Sequence, residues 1–354
     1  MKDANWLALD TEFVREKTYY PKLCLLQVAT ESRAACIDPI ALTGAISPIL
    51  DMIYDPQRVK VLHSASQDLE IFYLLKNTLP KPLFDTQIAA PLLGYDEQLS
   101  YAALVKQLTG KQLDKTHTRA NWAKRPLSPD MIQYALEDVL YLAQVYPMLK
   151  EQLDALGRLN WLEEDFAELA SAKRYRNPPT KWHKFPHIDR YSLQEISVIQ
   201  GLFAWREQTA QTVNKPKSWV LDNKTIASII QDKPNTVEAM QKTLGDKSLL
   251  TDLQASLLAV YQEAKTREPE ALHLIKRTEK LNPTQTKLRQ KLQSLAQKRA
   301  TDLNINPELL TRRKDTDKFI LGDPSSNWFK GWRWQALRDV LTPYTVEGQT
   351  NRSV

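Results

Sequence analysis

Five side chains in this sequence have types and spacings that allow joint chemistry. Asp10 and Glu12 stand two apart in the apolar run NWLALDTEF, a spacing that sends both carboxylates to one face of a strand. Two acids on one face of a buried strand repel each other unless a cation lies between them. Asp68 follows in VLHSASQDLEIF, where an apolar strand ends at Leu62 and the acid opens the next helix. Tyr134 and Asp138 stand four apart in YALEDVLYL, so a phenol and a carboxylate share one face of an otherwise apolar helix. Each has an ordinary explanation when taken alone: a strand end meeting solvent, or an acid facing a helix dipole. As a set, four carboxylates without soft ligands suit hard divalent cations, Mg²⁺ or Mn²⁺. Two such ions would stabilise the attacking and leaving oxygens of an in-line phosphoryl displacement, with the tyrosine hydroxyl holding the attacking water. No Cys-x₂-Cys, Ser/His/Asp set or glycine-rich phosphate loop competes with that reading.

The elements that must position these groups are legible as patterns. Residues 5–10, 23–29, 33–37 and 59–62 read as short buried strands, the first three as an antiparallel meander. Helices are expected at about 45–54, 65–77, 86–93 and 99–108, and a long one from Pro129 to about Leu156. Ser128 is placed to cap that last helix, Pro129 takes its first position, and Gly157 suits a left-handed stop. Asp85, before Thr86-Gln87, reads as a helix cap rather than a ligand. The first 170 residues are therefore expected to form a mixed α/β domain.

Composition narrows the class. The chain has 354 residues, 42% hydrophobic and 25% charged, with nine Trp, thirteen Tyr and eight Phe, which excludes disorder along its whole length and allows two or three domains. No apolar run is long enough to cross a bilayer as a helix and the N-terminus has no signal-peptide pattern, so a cytoplasmic protein with no membrane partner is expected. Cys24 and Cys36 read as reduced core residues. Residues 1–170 hold 17 Lys and Arg against 23 Asp and Glu, whereas residues 171–354 hold 31 against 19. An acidic half joined to a basic half points to a metal-using catalytic domain beside a polyanion-binding one. Residues 171–191, basic and proline-containing, read as a linker or surface arm, and the rest as helical, in two units at 192–272 and 281–350 that resemble a divergent repeat.

The runs ALDTEFVREKTYYPKLCLLQ, VLHSASQDLEIF, FDTQIAA, NWAKRPLS and YALEDVLYL together resemble the tyrosine-bearing branch of the DEDD exonucleases, and within it the bacterial ribonuclease D family. The resemblance runs continuously over about residues 5–150. The helical units resemble the helicase-and-RNase-D C-terminal (HRDC) domain, more clearly the first than the second. It implies a ribonuclease-H-like α/β exonuclease domain over residues 1–170, followed by two all-α HRDC-like domains. By the same resemblance the metal acids fall on Asp10, Glu12, Asp68 and Asp138, which would hold two divalent cations, and the water-positioning tyrosine on Tyr134. The implied activity is 3′-to-5′ removal of 5′-mononucleotides from RNA, with tRNA precursors and other small structured RNAs as substrates, by a monomer. The C-terminal pair would hold structured RNA. A DNA-directed exonuclease of the same fold and a non-catalytic RNA-binding scaffold are the competing readings. Further substrate contacts are expected at Thr11 and Phe13 beside the acids, Gln27 within an apolar strand, His63 five before Asp68, and Trp122, Lys124 and Arg125 ahead of the catalytic helix.

Overall fold

The computed structural model describes residues 1, 4–114, 120–176, 180–245, 253–275 and 281–345. Parts of the expected linker and of both expected helical domains, among them 177–179, 246–252 and 346–350, lie outside the described residues. Five strands form one sheet: β1 (Trp6–Val14), β2 (Lys22–Ala29), β3 (Ala34–Ile37), β4 (Val59–Leu62) and β5 (Leu83–Asp85), in the order β3-β2-β1-β4-β5. β2 and β3 pair antiparallel, while β4 runs parallel to both β1 and β5. The three-residue β5 was not expected: LFD is too short for an alternation to show.

Helices cover both faces. They are α1 (Ser47–Ile53), α2 (Ser66–Lys76), α3 (Thr86–Ala89), α4 (Tyr101–Thr109), α5 (Pro129–Ala155) and α6 (Glu163–Leu169). Successive β1 residues alternate between two cores. Leu7 and Leu9 join Leu50, Ile53, Leu69 and Phe72 of α1 and α2, whereas Ala8 joins Val139, Leu142 and Tyr146 of α5. The Ser128 hydroxyl accepts the Met131 N–H and Pro129 starts α5. Gly157 stops it at φ +64, with its N–H on Asp154 and that of Arg158 on Leu153, the left-handed closure that favours glycine.

The remaining elements are α7 (Lys173–Arg176), α8 (Leu193–Thr212), α9 (Lys217–Val220), α10 (Asn223–Asp232), α11 (Val237–Leu244), α12 (Gln254–Ala264), α13 (Pro283–Asp302), α14 (Glu308–Thr311), α15 (Arg313–Ile320) and α16 (Gly331–Leu341). The chain divides into two compact units. One comprises the described parts of Met1–Phe13, Leu23–Arg176 and Lys280–Val354, the other those of Val14–Lys22 and Asn177–Glu279. In the second unit Ile196, Ile199, Leu202, Val220, Ile226, Ile229, Met240, Leu257 and Tyr261 form a core. Trp182, Phe185 and Ile188 are buried in that core too, so residues 180–190 of the expected arm anchor themselves despite their charge. In the first unit, Leu292, Ala296, Leu310, Trp328, Trp332 and Leu337 merge with the α5 side of the sheet into one core. Among the described residues no helix is long and apolar enough to cross a membrane.

Candidate active site

The strand alternation that sends Ala8 toward α5 sends Asp10 and Glu12 the same way. There they meet Asp138, four residues and one turn after Tyr134 on α5. One ligand oxygen from each of Asp10, Glu12 and Asp138 lies within 4.8 Å of the others, a group able to hold a metal ion. Asp68 approaches from the opposite face of the sheet at the start of α2 and stands outside that trio. Its carboxylate accepts the Thr11 hydroxyl at 2.5 Å, and Thr11 lies between the two β1 acids, on the α2 side of the strand. Thr11 therefore orients an acid, whereas the sequence suggested a substrate contact.

Among the described residues no lysine or arginine pairs with Asp10, Glu12 or Asp138, and the electrostatics record the cost. Burial, then Asp68, Asp138 and Glu12 in that order, holds the Asp10 carboxyl well above the usual range. Glu12 is pushed up to about 8 by burial and then by Asp138 and Asp68. Asp138 rises to about 7 by burial and then Glu137, and Asp68 to about 6 by burial, against which the Thr11 bond works. Acids this crowded in a place short of water need a compensating positive charge. Hard oxygen donors converging without a basic partner fit a divalent cation.

The surroundings sort the remaining expected residues. Gln27 of β2 is fully buried, with neither amide atom hydrogen-bonded. It faces Cys36 across the β2–β3 ladder, and the Cys36 thiol is pushed up to about 11 by burial and then by the Asp10 and Asp138 charges. Gln27 therefore shares the face that carries the acids. Phe13 is half-buried at the end of β1, and Lys124 is exposed. Trp122 is buried, its ring centroid 6.1 Å from that of Tyr134, so it packs against the catalytic helix. Two further expected residues have their polar atoms engaged within the protein. Arg125 donates from Nε and Nη2 to both Asp38 oxygens, from Nη2 to Cys24 O, and from Nη1 to Trp122 O and Lys124 O. All five guanidinium hydrogens are thereby used, which leaves none for a phosphate. His63 has Nδ1 2.9 Å from Thr86 Oγ1 and Nε2 3.0 Å from Leu99 O. Burial keeps its pKa below the usual histidine value, so this neutral ring braces the turn after β4. Asp85 caps α3 through the Gln87 N–H and also accepts the Ser64 and Ala65 N–H groups.

Sequence reasoning missed Tyr101. Its hydroxyl donates to the Asp138 carbonyl at 2.5 Å and lies 3.1 Å from that of Glu137, pinning the turn of α5 that carries the acid. Ser100, which caps α4, announced where Tyr101 sits on its helix. Nothing local announced a partner 37 residues away.

Comparison with known proteins bears on the family and the fold. A family profile described as 3′-5′ exonuclease matches residues 1–154, and one described as HRDC domain matches residues 195–251. The ribonuclease D of Sphingobium indicum is 36% identical over 350 residues, covering 97% of this chain and 90% of that one. That of Pseudomonas paraeruginosa is 36% identical over 357 residues, covering 95% and 91%. Among solved structures, Escherichia coli RNase D, described as an exoribonuclease involved in structured RNA processing, superposes with a TM-score of 0.77. It is 27% identical and the match covers 97% of this chain and 94% of that one.

Proposed function

Given that the chain belongs to the ribonuclease D family and is a 3′-5′ exoribonuclease, we propose that Asp10, Glu12, Asp68 and Asp138 hold two divalent cations, Mg²⁺ or Mn²⁺, at its hydrolytic centre. The observation that carries this is the convergence of Asp10, Glu12 and Asp138 within 4.8 Å, without a basic partner among the described residues. When bound, such ions supply Lewis-acid stabilisation of the charge that develops on the phosphodiester oxygens. Thr11 holds the Asp68 carboxylate in place and Tyr101 holds the backbone that carries Asp138. Tyr134, one turn before Asp138, orients the attacking water through its hydroxyl, and the product is a 5′-mononucleotide. Gln27 and Phe13, beside the acids, contact the terminal nucleotide.

The substrates on this reading are tRNA precursors and other small structured RNAs. The unit that matches the HRDC profile, and a second, divergent HRDC-like module at 281–345, contribute the basic surface for them; residues 171–354 carry 31 Lys and Arg against 19 acids. RNA and DNA oligonucleotides labelled at either end, with Mg²⁺ or with EDTA, test the reading. Stepwise loss of 5′-mononucleotides from the 3′ end of RNA, abolished by EDTA, is expected. Preference for DNA would reverse the substrate assignment, and binding without cleavage would leave a scaffold. Asp138→Asn keeps shape but removes a charged ligand, so turnover should fall by orders of magnitude with RNA affinity retained.

A further inference from the structure

The helix fixes the backbone of Tyr134 but not its phenol. The Ser128 cap sets the phase of α5, and Tyr101 grips the carbonyls of Glu137 and Asp138. Where the Tyr134 hydroxyl stands depends further on its side-chain torsions. A catalytic group works only within about 0.5 Å and 10–20° of its productive geometry, so the ring needs a neighbour that holds it. The Trp122 indole, only 2% exposed, lies against it with centroids 6.1 Å apart and planes at 35°, within the range at which aromatic rings attract. The indole N–H has no hydrogen-bond partner, so what this side chain contributes here is its ring.

Trp122 is held in turn through its backbone. Arg125 Nη1 donates to Trp122 O at 2.7 Å. Its Nε and Nη2 close a two-pronged pair on Asp38, at 2.7 Å each, and Nη2 also reaches Cys24 O at 2.8 Å. Asp38, just after β3, is itself fixed by the Ile40 and Ala41 N–H groups at 3.0 Å each. The Trp122 N–H donates to Ala120 O and the Ala123 N–H to Asn121 Oδ1, at 3.1 Å each. The turn that carries Trp122 is therefore bonded to β2, the neighbour of β1 in the sheet, and to the end of β3. Every residue in this chain of contacts lies in the compact unit that holds the acids.

We propose that Trp122 is a positioning residue for the exonuclease reaction: its ring, set by the Arg125–Asp38 fork, fixes the plane of the Tyr134 phenol and so where the hydroxyl holds the attacking water. The effect passes through the Tyr134 hydroxyl and belongs to the chemical step, not to affinity. This role rests on the assignment of Tyr134 as the residue that orients the water.

Variants of the whole chain test it. Trp122→Leu removes the aromatic plane, Trp122→Phe keeps one and gives up no hydrogen bond, and Arg125→Lys keeps the charge but loses the planar fork. With circular dichroism confirming the fold, Trp122→Leu should lower kcat on an RNA oligonucleotide about ten-fold and Arg125→Lys about three-fold, with KM little changed. Trp122→Phe should recover most of the rate. The deciding measurement repeats Trp122→Leu in a Tyr134→Phe chain. Once the hydroxyl is gone Trp122 has nothing left to place, so kcat should fall no further than in Tyr134→Phe itself. Losses that multiply in full would overturn the role, as would an undiminished kcat in folded Trp122→Leu or a change confined to KM. Should Trp122→Leu not fold, Arg125→Lys in the same cycle is held to the same criteria. Tyr134→Phe alone separates the two ideas. Full activity there removes the water-orienting assignment, whereas loss there with unaffected Trp122 and Arg125 variants removes the positioning role alone.

Discussion

Across α8 to α12 the apolar residues close on themselves; across α13 to α16 they close on the catalytic domain. The two stretches begin alike, with a capping box at Ser192 and Glu195 in one and at Asn282 and Gln285 in the other. In the first, Ile199, Leu202, Ile226, Ile229 and Leu257 are fully buried in a core with none of the sheet in it. In the second, Leu292, Leu310, Leu337 and Leu341 share a core with Ala8, Val61 and Phe84 of the sheet and with Leu142 and Leu149 of α5. Polar clasps follow the same line. Arg158 donates to the Leu92 and Leu303 carbonyls, Asn306 Nδ2 to Tyr95 O at 3.0 Å, and the Trp161 and Trp332 rings stack at 4.7 Å. A run of amphipathic helices can thus make a self-contained module or an extension of a neighbouring core. The deciding factor is whether one stripe of apolar residues finds its complement within its own stretch.

The contrast is most strongly exposed by pH. Glu12, Asp138 and Asp68 titrate near 8, 7 and 6 when folded and near 4 when unfolded. The folded state therefore keeps protons that the unfolded state releases, and the stability they confer is complete below about pH 4 and lost as pH rises toward about 8. In EDTA, the catalytic unit should lose stability over that window, on the order of several kcal/mol at about 1.4 kcal/mol per pKa unit. Mg²⁺ should flatten the curve, and the transition of the other unit should not follow it. Calorimetry between pH 4 and 8, with and without Mg²⁺, measures this, and a flat metal-free profile would contradict the crowding argument.

A paired core substitution comes next in size. Leu337→Ala and Ile229→Ala each remove a fully buried branched side chain and should each cost about 2–5 kcal/mol. Leu337→Ala should lower the melting of the unit that carries exonuclease activity, and Ile229→Ala that of the other; the reverse pattern would break the comparison. Arg158→Met strands the Leu92 and Leu303 carbonyls, and urea unfolding should report a loss of about 1–3 kcal/mol in the catalytic unit. The smallest effect is expected at Gly331, which opens α16 at φ +47 and where an added Cβ would meet the Glu164 carboxylate. Glutamate can swing aside, so Gly331→Ala should cost only about 1 kcal/mol, from backbone strain. Glu164→Ala in the same chain should recover little of it.

Much of the catalytic half was legible because its information is local. The alternation in LALDTEF put two acids on one face, the turn at Ser128-Pro129 set the phase of α5, and four-residue spacing joined Tyr134 to Asp138. Those periodicities follow from backbone geometry alone. What remained hidden involves partners far apart in the chain. Arg125, exposed-looking in NWAKRPLS, is used up by Asp38 and three carbonyls, and His63 by Thr86 and Leu99. A guanidinium or imidazole carries no sequence mark of whether its donors are already taken.

By itself, then, the sequence determined most of the strands and helices with their caps and marked the four acids and their tyrosine as candidates, because short-range periodicity and side-chain chemistry are written residue by residue. Only the tertiary structure decided that Asp68 stands outside the trio of Asp10, Glu12 and Asp138, its carboxylate accepting the Thr11 hydroxyl. It alone decided that Val14–Lys22 groups with the helices of the other unit while α13–α16 pack with the sheet. The physical reason is that apolar burial is non-directional: it rewards any complementary surface, and which surface that is emerges only when the whole chain is folded.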